Sequence, residues 1–313
     1  MELRLTKHQG AGNDFLVVVD PDDRVRLDGG QVRALCDRHF GVGADGVIRV
    51  GRGQSRPGGA EADLWMELRN ADGGSAEMSG NGIRCLAQAA VDAGLVAPGR
   101  FTVATLAGVR TVTYVPGDRP GTAWASVDMG PVRLGPEVPG LVGPGPGGWG
   151  SGGVVEAHTA RARRVDVGNP HLVLFGPDDP DDLAVTTIGP RLEAGTPGGV
   201  NVEFIAPGPG PDELRFRVWE RGVGETLACG TGSCAAAGAA RSWGLVGDRV
   251  LVHNPGGTLE VRLGATDDDP AVLAGPTQRV AEVTVDLATL AGLADMAVPD
   301  QDPVPVVADP VRT

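Results

Sequence analysis

Two four-residue runs in this chain set a nucleophilic atom directly before glycine: Ser79-Gly80-Asn81-Gly82 and Cys229-Gly230-Thr231-Gly232. A Ser or Cys that opens a helix is followed by backbone N–H groups with no partner inside the helix, and such a nest binds an anion. If both helices aim at one point, a single carboxylate lies between the Ser79 hydroxyl and the Cys229 thiol. A helix N-terminus also favours a thiolate, so the pKa of Cys229 is expected below the free value of about 8.5, which makes it a usable base. A C-G-T-G run standing alone is more often a tight turn over a buried thiol. A phosphate loop is disfavoured, because neither run ends in G-K-[ST].

The elements that must position these runs are repeated. Met78 to Leu95 aligns without a gap on Ala228 to Leu245 at an offset of 150, which superposes Ser79 on Cys229, Gly80 on Gly230 and Gly94 on Gly244. At an offset of 156, Gly12-Asn13-Asp14-Phe15-Leu16-Val17 matches Gly168-Asn169-Pro170-His171-Leu172-Val173, and Gly43-Ala44-Asp45 matches Gly199-Val200-Asn201. A duplicated unit of this length is too long for a solenoid repeat, so two homologous domains related by a pseudo-two-fold axis are expected. In the first half the runs LTKHQG, FLVVVD, DGVIRV, DLWMELRN and TVATLAGVRTVTY read as strands. An Ala-rich helix begins after Ser79 and another after Cys229, each closing at a C-terminal glycine, Gly94 or Gly244. The expected class is α+β, with a curved, mostly antiparallel sheet around a central helix in each half. Domain boundaries are expected at 1–130 with a strand from about 281–290, and at 131–280. The Gly/Pro-rich stretch 135–153 reads as a linker, the segment near Gly264 as a surface excursion, and 297–313 as an unstructured tail.

Composition narrows the function. The chain's 313 residues suit two cores of ordinary size. With 27 basic against 40 acidic residues the net charge is −13, the wrong sign for binding nucleic acid or an anionic membrane surface. No apolar run approaches the roughly 18 residues of a membrane span. The N-terminus lacks the apolar core of a signal peptide, so a cytoplasmic location with reduced Cys36, Cys85, Cys229 and Cys234 is expected. Lys7 is the single lysine, which leaves only one candidate for a pyridoxal-phosphate Schiff base, and five scattered histidines form no metal motif. Neither cofactor nor metal is expected.

With GAGNDF at Gly10, RNADG at Arg69, SGNGIRC at Ser79, GNPH at Gly168, GVNVEF at Gly199 and WERGVGETLACGTG at Trp219, the sequence resembles the diaminopimelate epimerase family from about residue 3 to residue 287. The resemblance implies pyridoxal-independent epimerisation of LL-diaminopimelate to the meso isomer, for lysine and cell-wall synthesis, in a cleft between two similar domains. It implies an amino-acid substrate whose reacting carboxylate rests on the amides of Gly80, Asn81, Gly230 and Thr231. The substrate's amino group would lie near Asn13 and Glu220, and its distal end would meet Asn70, Asn169, Asn201 and Arg221, the arginine being suited to a bidentate carboxylate contact. His171 is expected to be a packed histidine. A homodimer is a candidate assembly.

The chain departs from the family's pattern at one decisive place. The family uses two cysteines, one removing the α-proton and one returning a proton to the other face; here Cys229 is present, but Ser79 stands at the first position, and Cys85 lies too far along the helix to replace it. Gly46 also occupies a position where many relatives carry glutamine. Alternatives on the same scaffold are epimerisation of another amino acid such as histidine or a hydroxyproline, a one-base lyase or dehydratase, and a binding protein that lost catalysis. In the family the two thiols can close into a disulfide, which Ser79 makes impossible here. Activity assayed with and without reductant is therefore expected to differ little, in contrast to a two-thiol relative.

Overall fold

A computed structural model describes residues 2–56, 61–138, 161–176 and 179–289. The first half runs β1 (Glu2–Gly10), β2 (Asn13–Val19), α1 (Gly29–Cys36), β3 (Gly46–Arg52), β4 (Leu64–Asn70), β5 (Ser75–Ala76), α2 (Gly80–Asp92), β6 (Gly99–Thr105), β7 (Gly108–Pro116) and β8 (Thr122–Pro131). The second half repeats the order with β9 (Arg133–Glu137), β10 (Arg161–Asp166), β11 (Pro170–Phe175), α3 (Val185–Ala194), β12 (Asn201–Pro207), β13 (Glu213–Glu220), β14 (Gly224–Thr226), α4 (Gly230–Ser242), β15 (Arg249–Asn254), β16 (Gly257–Arg262) and β17 (Pro270–Asp286). Parallel pairs occur at β2–β3, β4–β6, β11–β12 and β13–β15, where a helix lies in the crossover; the other pairings are antiparallel. The α+β reading with a curved, mostly antiparallel sheet around a helix in each half holds, and all 17 strands are hydrogen-bonded into one continuous sheet.

In each half the sheet closes into a ring around its helix. In the first half β1–β2–β3–β4–β6–β7–β8 is completed by β17, which pairs with both β8 and β1. In the second, β9 continues from β8 and pairs with β10, while the early part of β17 pairs with β16. The two long strands thus pass from one ring into the other. The residues of α2 from Gly80 to Ala90 are all buried, and α4 presents buried Ala235, Ala236, Ala237, Ala239 and Ala240 to the strands around it. Small side chains let a sheet wrap a helix closely, and so the Ala-rich pattern marks the interior helices. Both end at glycines with positive φ, Gly94 (69°) and Gly244 (73°), as expected.

Several expectations change. Helices α1 and α3 are additional: α1 starts at an Asp28–Gln31 capping box, and α3 is obscured in sequence by Gly189-Pro190, with Pro190 inside the helix. The linker expected over 135–153 begins later, because Arg133–Glu137 pairs with β10; residues 139–153 and the tail at 297–313 lie outside the described residues. The excursion near Gly264 is short, because from Pro270 the chain is strand and Leu273 and Ala274 are buried. Leu273 sits where the two halves meet, with its Cδ2 below the first turns of both α2 and α4. Leu273→Ala is expected to cost about 2–5 kcal/mol, the range for emptying a buried leucine site, measurable by urea unfolding.

Candidate active site

The centre of the molecule is the meeting of two helix N-termini. Ser79 caps α2 with its Oγ accepting from Gly82 N at 3.0 Å, and Cys229 caps α4 with its Sγ accepting from Gly232 N at 3.3 Å. Both caps have extended backbone, Ser79 at φ −136° and Cys229 at φ −124°. A Cβ placed on Gly230 would lie 3.3 Å from the Cα of Gly80, and a Cβ on either glycine would press on Leu273, at 2.7 Å from Gly80 and 2.8 Å from Gly230. Only glycine at both positions lets the helices come this close. The first-turn amides of both helices, those of Gly80, Asn81, Gly230 and Thr231 among them, have no partner inside the helix and start from this one region, as an anion site at two helix N-termini requires.

Around this point the asparagines are tied to the helices and to one another. Asn81 Nδ2 donates to the Ala228 carbonyl at 3.1 Å and to Asn13 Oδ1 at 3.3 Å, so Asn81 bridges from α2 to the residue before Cys229 and to the β1–β2 turn. Asn13 Nδ2 in turn donates to Asp45 at 2.6 Å. Asp45 also receives Arg38 at 2.8 Å, and Arg38 and Lys7 both pair with Asp14. Burial would raise the Asp14 carboxyl, but Arg38 and Lys7 hold it below the usual carboxylate range. On the other side Asn169 Nδ2 donates to Thr231 Oγ1 at 3.4 Å. Asn201 Oδ1 accepts from Arg221 N at 2.9 Å, and the Arg221 guanidinium donates to the Gly198 carbonyl at 3.2 Å. Asn70 closes the turn after β4 through its backbone, and its exposed side chain stands level with Gly46. At Gly46 a Cβ would lie 2.6 Å from the Arg69 carbonyl, so the larger residue of many relatives needs a shifted backbone here.

The environment of Cys229 reverses one expectation. The thiol is 6% exposed, and its pKa is pushed well above the ordinary thiol value, by burial first and then by the charges of Glu220 and Glu203. Bonds from Thr231 and Gly232 N–H act the other way and do not prevail. A helix N-terminus lowers a thiol pKa where solvent or cations assist it; here the thiol is dry and faces carboxylates. The Glu220 carboxyl is also raised, by burial above all, with Thr226 and Cys229 opposing. The site thus sets a thiol of raised pKa beside a carboxyl group of raised proton affinity.

Glu203 is a site residue that the motif reading passed over. It is fully buried, its Oε1 bonds His171 Nδ1 at 2.6 Å, and its Oε2 has no partner among the described residues. His171 Nε2 continues the chain to Asn169 Oδ1 at 2.9 Å, so the packed histidine also orients this candidate site asparagine. Strand alternation carries the signal that would have found Glu203, since it lies two residues after Asn201 on β12 and shares its face.

The fold is one shared by solved epimerase, racemase and PhzF-family structures. Similar solved structures include a Bacillus anthracis phenazine biosynthesis protein of the PhzF family, at a TM-score of 0.68, with 14% identity over 91% of this chain and 99% of that one. A hydroxyproline epimerase from Agrobacterium vitis matches at a TM-score of 0.63, with 15% identity over 91% of each chain. Within that class, the diaminopimelate epimerase family model matches residues 5–135 and 163–280, and the chain belongs to this family of isomerases. Diaminopimelate epimerases from Acidovorax ebreus and Desulforudis audaxviator are 40% and 42% identical, covering 92% and 89% of this chain and 99% and 97% of their own lengths.

The raised thiol pKa has a direct chemical consequence. A group whose pKa is raised stays protonated to higher pH, and only the thiolate reacts with iodoacetamide. Alkylation of Cys229 without substrate, followed by peptide mass spectrometry, is expected to be slower at pH 8 than that of a free thiol. It should rise steadily through pH 9 and above.

Proposed function

We propose that this enzyme interconverts LL- and meso-diaminopimelate, with Cys229 removing the α-proton on one face and Ser79 supplying a proton on the other. The observation that carries this is the approach of the two helix N-termini at Gly80 and Gly230, each preceded by a side chain able to exchange a proton. The substrate's reacting carboxylate rests on the amides of Gly80, Asn81, Gly230 and Thr231. Its ammonium lies by Asn13 and Glu220, and its distal end meets Asn70, Asn169, Asn201 and Arg221. Arrival of the ammonium offsets the carboxylates that hold the Cys229 thiol neutral, and Glu220 is placed to take the thiol proton. The two rings act as the two domains, 1–130 with the strand near 281–290 and 131–280, and water is excluded as they close.

Ser79 makes the two faces unequal. When serine gives up its proton it becomes an alkoxide, a less stable anion than a thiolate, and each pK unit of that difference is worth about 1.4 kcal/mol in the barrier if fully expressed. The helix N-terminus recovers part of this. The same reading carries a cytoplasmic location, consistent with four free buried cysteines, and a homodimer. For the dimer we take the outward face of β7 and β8, where Val115 and Trp124 form an exposed cross-strand pair.

Incubation with LL-diaminopimelate in D2O tests the reading. Deuterium in newly formed meso product is expected, and Ser79→Cys should raise turnover. Deuterium confined to recovered LL substrate would mean that Cys229 works alone. No exchange at all would refute the assignment.

A further inference from the structure

One residue of the SGNGIRC run is unexplained by these roles. Arg84, on the second turn of α2, is fully buried, and each of its three contacts is to a neutral acceptor: Nη1 to the Gly80 carbonyl at 3.0 Å, Nη2 to Asn81 Oδ1 at 2.9 Å and Nε to the Pro276 carbonyl at 3.4 Å. No carboxylate pairs with it among the described residues. Arg49, the one other buried arginine among the described residues, meets Asp20, Asp23 and Glu67. Burial pulls the Arg84 pKa down to about 10, so the residue is still a cation at neutral pH.

Space has been cleared for it. A Cβ on Gly10 would stand 3.2 Å from Nη2, and one on Gly275 3.4 Å from Cζ and Nε, so glycines from β1 and β17 wall the guanidinium on two sides. The repeat does not supply a second copy: the position matching Arg84 at an offset of 150 is Cys234, buried in α4 with its thiol pushed up to about 12. A single uncompensated cation is therefore built into one of two equivalent helices. An isolated buried charge is a costly placement unless an anion arrives to meet it.

We propose that Arg84 is a positioning residue and the fixed counter-charge for the substrate's reacting carboxylate. Its Nη2 holds Asn81 Oδ1, and this fixes the amide so that Nδ2 faces Asn13 and Ala228. Its Nη1 holds the Gly80 carbonyl and with it the peptide unit that leads into the amide nest. Its charge stands behind the α2 N-terminus, where the incoming carboxylate replaces the missing partner. The role rests on the epimerase reading and specifies how that site discriminates for an anion.

The test separates charge from shape. Arg84→Met removes the charge at similar volume, and Arg84→Lys keeps it. In the D2O exchange assay, kcat/KM for Arg84→Met is expected to fall at least about 100-fold while the thermal midpoint changes little, with most of the loss recovered in Arg84→Lys, as for a charge acting at short range in a dry site. In Arg84→Ala, guanidinium at non-denaturing concentration should restore exchange, and urea, its neutral counterpart in shape, should not. Equal losses in the Met and Lys variants, equal rescue by urea, or kcat/KM of Arg84→Met within threefold of the parent would overturn the proposal. So would failure of all three variants to fold, which would make Arg84 a structural residue. Absence of exchange in the parent enzyme would instead refute the assigned reaction, and this role with it.

Discussion

The contact between Gly80 and Gly230 is the constraint on which the rest of the structure depends. A methyl group on either glycine would strike Leu273, and one on Gly230 would also meet the Gly80 backbone. With both absent, the positive ends of two helices converge, which neither helix would tolerate without an anion or a network of acceptors to face. The fold encloses each helix in the sheet, so that α2 and α4 are packed along most of their length and their first turns meet at one place. The shared strand β17 joins the two rings and places Leu273 under both first turns. Architecture and site are thus one arrangement: the strand that crosses between the halves also sets the spacing of their helices.

Much of this was legible in the sequence because duplication makes geometry visible. The gapless match of Met78–Leu95 on Ala228–Leu245 implies equivalent helices, and glycine at equivalent places implies equivalent close approach. The strands of the first half were readable from their alternation. What stayed hidden depends on context. Helix α3 carries Gly189 and Pro190, and its existence rests on packing Gly189 against Trp219. Glu203 lies in a run that reads as an ordinary buried strand, and only the pairing of β12 beside β11 brings it to His171. The sign of the Cys229 shift was unreadable for the same reason. A motif reveals the helix dipole, whereas the burial and the two carboxylates that outweigh it belong to the tertiary structure.

Although the scaffold is nearly symmetric, its charges are not. Buried Glu203 and half-buried Glu220 lie on the Cys229 side, while Arg84, a cation with no carboxylate partner among the described residues, lies on the helix capped by Ser79. In the repeat Asn81 corresponds to Thr231, Arg84 to Cys234 and Phe15 to His171. A field across the site follows, positive behind Ser79 and negative beside Cys229.

On the proposed reading, in which Ser79 and Cys229 exchange protons with the substrate, that polarity bears on the mismatch between a serine and a cysteine. For two different groups to exchange protons with one carbon, their proton affinities must be brought together, or one direction of the reaction is starved. Carboxylates beside Cys229 make its thiolate a stronger base than an ordinary thiolate, by the same interactions that keep the thiol protonated at rest. A cation behind the α2 N-terminus acts in the opposite sense on Ser79, because it stabilises the negative charge left when the hydroxyl gives up its proton. Both displacements narrow the gap. In a two-thiol site such a field would separate two groups that begin equal; with serine at one cap and cysteine at the other, it brings unequal groups towards each other. On the proposed reading, the serine is accommodated by an electrostatic asymmetry that the duplicated fold already contains.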